Sequence, residues 1–189
     1  MGELDKKKKD ELHTRKINLS TYDADDHCIV LEGELIDSNV IELTRISGDI
    51  LKAGGIVHHM IVRLLVGPPR LTIQDAEAEM PHYPHEECIE TRRSLGKVIG
   101  LSIESGFSEN VKKILGGTNG CSHLNALLMT IGSEAVQGYY TKVLRTPHIS
   151  MYDRYKKSET RMMKDKCFVF REDGPTYDRM MKFVMSSNE

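Results

Sequence analysis

Between Ile56 and Val66 the chain alternates, so that His58, Met60, Val62, Leu64 and Val66 share one side of an extended backbone by the period of two. Gly67-Pro68-Pro69-Arg70 then supplies a turn, and Leu71 to Met80 returns as a strand that places Ala76, Ala78 and Met80 together. The pair predicts an antiparallel hairpin. Within it His58 sits among apolar neighbours, whereas His59 points the other way with Arg63. Residues 27–36 read as a further strand with Ile29, Leu31, Gly33 and Leu35 on one face.

After the loop Pro81-His82-Tyr83-Pro84-His85 the period becomes helical. Cys88, Leu95 and Ile99 fall at i, i+7 and i+11, which puts the Cys88 thiol on the buried stripe of its helix. Ser108-Glu109-Asn110-Val111 opens a short helix that Gly116-Gly117 stops. Leu124, Leu127, Leu128, Ile131 and Ala135 mark the core face of a long helix, and Cys121, three and seven residues before Leu124 and Leu128, faces inward with them. Beyond Pro147, residues 150–164 are charged and Met-rich, Cys167 to Phe170 reads as a short strand, and Pro175 to Met185 as a final helix with Pro at its start. These patterns predict an α+β fold, an antiparallel sheet of three or more strands covered on one face by helices. Residues 1–15, dominated by Lys, Asp and Glu, read as a flexible charged tail, 16–146 as a single domain, and 147–189 as an extension packed on it.

Charge and cysteine usage narrow the partners. With 26 basic against 28 acidic residues, no broad electropositive surface points to nucleic acid. No apolar run approaches the roughly 20 residues of a membrane span, and the Lys6–Lys9 start lacks a signal-like stretch, so a cytoplasmic protein is expected. Its expected partner is a protein or a small molecule, or a second copy in a homo-oligomer. Four scattered cysteines, Cys28, Cys88, Cys121 and Cys167, suit thiols or metal ligands better than a disulfide framework.

The chemistry concentrates at Gly116-Gly117-Thr118-Asn119-Gly120-Cys121-Ser122-His123-Leu124, where a glycine-rich turn delivers a Cys-x-His pair onto a helix start. A thiol there feels the positive end of the helix dipole, which favours the thiolate. With His58 on a strand and Cys88 on another helix, Cys121 and His123 complete a donor set of the kind zinc or iron takes, with Cys167 as a substitute sulfur, and the first reading is a metal or iron–sulfur assembly or carrier factor, or a metalloenzyme with an open coordination position. Donors of His58, Cys88 and Cys121 are expected within about 7 Å of one another. Two other readings stay open. Cys121 is a nucleophile for acyl or sulfur transfer with His123 or His58 as its base, or the cysteines are small core hydrophobes, His58 is a hydrogen-bonded core histidine, and the protein is a non-catalytic accessory. Cys28 reads as core. The glycines lack the Lys-Ser/Thr ending of a nucleotide-binding loop.

Ile56-Val57-His58-His59-Met60-Ile61-Val62-Arg63, Ile73-Gln74-Asp75-Ala76, Cys88 and Gly120-Cys121-Ser122-His123-Leu124 together resemble a bacterial domain-of-unknown-function family with a Gly-Cys-Ser/Thr-His-Leu signature. A more distant resemblance is to the U-type scaffold proteins of iron–sulfur cluster assembly. These have a strand opening on Asp-x-Met, a hairpin partner ending in Asp-Ala, a cysteine before a helix and a last cysteine opening the long helix. His58-His59-Met60, Asp75-Ala76, Cys88 and Cys121 occur in that order here. The resemblance implies His58 in the place of the scaffold's aspartate, and Cys88 and Cys121 in those of its second and third cysteines. The first scaffold cysteine falls at Ile56, so what is implied is the fold and a metal site without the sulfur-transfer role.

Overall fold

Four long strands build the sheet that carries everything else: β1 (His13–Asp23), β2 (Ile29–Asn39), and, after a small hairpin of β3 (Leu43–Thr44) with β4 (Ile50–Leu51), β5 (Ile56–Gly67) and β6 (Thr72–His82). They lie in the order β1-β2-β5-β6, every neighbouring pair antiparallel. The structure is a computed structural model that describes residues 2–25, 27–145, 164–165 and 167–186. Helices α1 (Phe107–Leu115), α2 (Ser122–Arg145) and α3 (Pro175–Ser186) follow, with a long 3-10 stretch over Glu86–Val98 between sheet and helices. Helix α2 lies across β1, β2 and β5, α1 packs against α2, and the 3-10 stretch covers β6.

Alternation decides which face is covered. Ile29, Leu31 and Leu35 of β2 and Met60, Val62, Leu64 and Val66 of β5 are buried against Leu124, Leu127, Leu128 and Ile131 of α2. Gly33 lies at a close approach of the helix, since a Cβ there would stand 2.7 Å from Ile131 Cδ1 and 2.9 Å from Leu127 Cδ1. The opposite face is polar. Arg63 donates from Nε to Glu32 at 2.6 Å and from Nη1 to Glu77 at 3.2 Å and to Glu79, while His59 meets Glu34 at 2.8 Å. Along β6 a register shift opposite Leu65/Val66 changes the parity, so that Ile73 is buried and Ala76, Ala78 and Met80 still turn to the core.

Several details depart from the sequence pattern. Strand β1 was not among the strands read there, and it begins at His13, within the stretch read as tail. It is an edge strand whose inward residues, Ile17 and Leu19, are only half-buried, so its alternation is faint. The segment around Cys88 winds at three residues per turn rather than 3.6, which puts Leu95 and Val98 in the core and leaves Ile99 46% exposed. Cys167 precedes an exposed 3-10 turn, Phe168–Phe170, instead of starting a strand. Residues 150–163 lie outside the described part of the chain. Among the described residues no helix is long and apolar enough to cross a membrane.

Candidate functional site

The antiparallel register puts Arg15 of β1 opposite Asp37 of β2, and Asp37 opposite His58 of β5. The next rows inward, Ile17–Leu35–Met60 and Leu19–Gly33–Val62, are apolar. The core face of the sheet therefore ends in one polar row. A register shift between Asp37 and Ser38 kinks the pairing directly beside it, a device that re-aims side chains at strand ends.

Helix α2 supplies the fourth group. Its start is fixed by two hydrogen bonds of Asn125, whose backbone N–H donates to the Cys121 carbonyl at 3.0 Å and whose Nδ2 donates to the Leu115 carbonyl at 2.8 Å. Gly120 permits the return of the chain, because a Cβ there would stand 2.9 Å from the Leu115 carbonyl oxygen. Cys121 is thereby the cap residue, and His123, in the first turn, lies over the end of the sheet.

Asp37 is the hub of this cluster and is 2% exposed. Arg15 forks onto it, Nε to Oδ1 at 2.6 Å and Nη2 to Oδ2 at 2.7 Å. His58 Nδ1 is 3.2 Å and His123 Nε2 3.5 Å from the same Oδ2, while His13 Nε2 stands 3.8 Å from Oδ1. The His58 and His123 rings lie with centroids 3.8 Å apart, tilted by 31°. Candidate ligand atoms of Asp37, His58 and His123 all fall within 4.8 Å of one another, so the three form a group able to hold a metal ion.

Burial sets the protonation states. It pushes both imidazoles below their ordinary value of 6.5, the nearby Arg15 adding to the effect on each. At neutral pH both rings are therefore neutral and offer lone pairs. Burial would raise the Asp37 carboxyl, but the Arg15 hydrogen bonds and charge, joined by His123 and His58 once acid protonates them, outweigh it and hold the group below its usual value. The site thus presents one carboxylate, already balanced by one guanidinium, and two neutral imidazoles.

All four residues singled out in the sequence, His58, Cys88, Cys121 and His123, line a single cleft of about 620 Å³. His58 and His123 belong to the compact group, and Cys88 and Cys121 stand outside it. Cys121 Sγ lies 3.8 Å from His123 Nδ1, the ring nitrogen other than the one beside Asp37. Cys167 lines a different cavity, between α1 and α2, with Phe107, Met129 and Phe170. Asp37 and Arg15 were missed in the sequence. Asp37 continues the buried alternation Ile29, Leu31, Gly33, Leu35 by one more step, and an acidic residue at such a position is the signal that would have found it.

The family described as "Protein of unknown function (DUF2889)" matches residues 13–137, a span that includes every member of the cluster. No curated protein and no solved structure matches the chain.

Proposed function

We propose, for a chain that belongs to the DUF2889 family of proteins of unknown function, that it is a metal-binding protein in which Asp37, His58 and His123 hold one zinc or ferrous ion at the head of the cleft. The observation behind this reading is the convergence of two neutral imidazole nitrogens on one carboxylate oxygen, at 3.2 and 3.5 Å. A tetrahedron of bonds near 2.1 Å has edges of about 3.4 Å, so the two separations from Asp37 suit a shared ion, and the set as a whole, within 4.8 Å, closes on one by side-chain adjustment. Two histidines and a carboxylate are also the donor set that binds catalytic zinc and non-haem iron with coordination positions left open. Here those positions would face the cleft, which favours small-molecule chemistry over a closed structural site. Arg15 would serve as the outer partner that orients the carboxylate, as such partners commonly do.

The test is metal titration of untagged protein by calorimetry, with metal content measured after dialysis. One equivalent of zinc or iron is expected to bind, and His58→Ala and His123→Ala each to weaken it by about tenfold or more. Unchanged affinity in both variants would reject the site. Substitution with cobalt also decides whether Cys88 or Cys121 turns in as a ligand, as the scaffold resemblance implies, because thiolate coordination adds a sulfur-to-cobalt charge-transfer absorption.

A second reading has its own geometry. Cys121 Sγ at 3.8 Å from His123 Nδ1, with Asp37 Oδ2 at 3.5 Å from His123 Nε2, is the order of a thiol, a base and an orienting acid. It predicts alkylation of Cys121 that slows when His123 is replaced by Ala in metal-free protein.

A further inference from the structure

The cleft continues away from the metal cluster under the β3–β4 hairpin, and its lining there is of a different kind. Leu43 and Leu51 from the hairpin line it together with Val57 and Pro84, giving aliphatic walls, while the fully exposed Ile46 stands at the rim. No lining residue is acidic, although the chain contains 28 Asp and Glu. Arg45 is also in the wall, and its Nε–H is buried without an acceptor among the described residues. Among the described residues its guanidinium meets one carboxylate, Nη1 lying 3.2 Å from Asp49, whose side chain is half exposed. The guanidinium is thus incompletely matched within the protein, and the 29% of the Arg45 side chain that stays exposed leaves further N–H groups of the fork for a ligand's acceptor.

We infer that the cleft takes an organic carboxylate with an aliphatic body, its carboxylate held by Arg45, its chain along the Leu43, Leu51 and Val57 walls, and its far end directed to the Asp37, His58 and His123 centre. The planar guanidinium fork suits a carboxylate, and the apolar walls give a bare inorganic anion nothing to bury. The open end of α2, where Gly120, Cys121, Ser122 and His123 line the same cleft, adds to the positive potential without being the anchor. The inference rests on the metal reading for what stands at the far end, and only there.

Calorimetry with octanoate, octanamide and acetate separates the two. Octanoate is expected to bind metal-free and zinc-loaded protein more tightly than either octanamide or acetate. Arg45→Gln should weaken octanoate by about tenfold or more while octanamide binding stays unchanged, which also shows that the cleft remains folded. Arg45→Lys, which keeps the charge but not the fork, should fall between. Octanoate no tighter than octanamide or acetate, or unaffected by Arg45→Gln, overturns the inference even where zinc binds normally. Octanoate binding that depends on Arg45 in a protein that takes up neither zinc nor ferrous iron supports the anchor and overturns the metal reading instead.

Discussion

Asp37 is a buried carboxylate whose charge is tolerated because Arg15 reaches it with two hydrogen bonds. Arg15→Met keeps the side-chain stem and removes the fork, so it is expected to lower the unfolding free energy by about 1–3 kcal/mol. The 39% exposure of Arg15 keeps the loss from reaching that of a fully enclosed pair. Urea unfolding measures it, and a change within error would mean that solvent already screens the pair. The imidazoles set the pH response of metal-free protein. Both titrate below 6.5 in the folded state because burial disfavours the charged ring. As pH falls through the window between 6.5 and those lowered values, the unfolded chain takes up protons that the folded chain does not, and stability drops. The Asp37 contribution is present above its ordinary value of 3.8 and is lost as pH falls through its lower folded value. Urea midpoints should therefore decline as pH falls through and below about 6.5, and decline less in a His58→Gln, His123→Gln double variant.

The contact of β2 with α2 leaves no room at Gly33. Gly33→Val would drive methyl groups into Ile131 and Leu127, with an expected cost of about 1–3 kcal/mol visible as a lowered melting temperature. An unchanged melting temperature would show that α2 slides freely on the sheet. Elements with a strong period were legible before any coordinates: the β5–β6 hairpin from its alternation and turn, and α2 from Leu124, Leu127, Leu128 and Ile131, all buried. Strand β1 was not, because at a sheet edge half-buried Ile17 and Leu19 alternate with solvated residues and look like tail. The site divides in the same way. His58 and His123 stand out as polar groups attached to apolar patterns, whereas Arg15 lies in the unread strand and Asp37 one step past the apolar run of β2. What joins them is cross-strand register, which no local window of sequence contains.

Over the whole molecule the thiols differ in access. Cys167 is exposed, Cys121 is half-buried at the cleft and Cys28 is buried with its Sγ donating to Gln74 at 3.4 Å. Iodoacetamide is expected to modify them in that order, with bound zinc slowing Cys121 alone. Modification of Cys28 ahead of Cys121 would contradict the burial pattern. The cross-strand row has one more consequence, for the history of the chain rather than its finished state. Asp37 is 22 residues from Arg15 and 21 from His58, and His123 comes only with α2. During synthesis the carboxylate and its partners Arg15 and His58 therefore emerge well before the last imidazole leaves the ribosome. A chain cut short before α2 lacks His123 and with it a closed coordination shell, so metal uptake would mark the moment at which helix and sheet have docked, and would distinguish finished molecules from stalled ones.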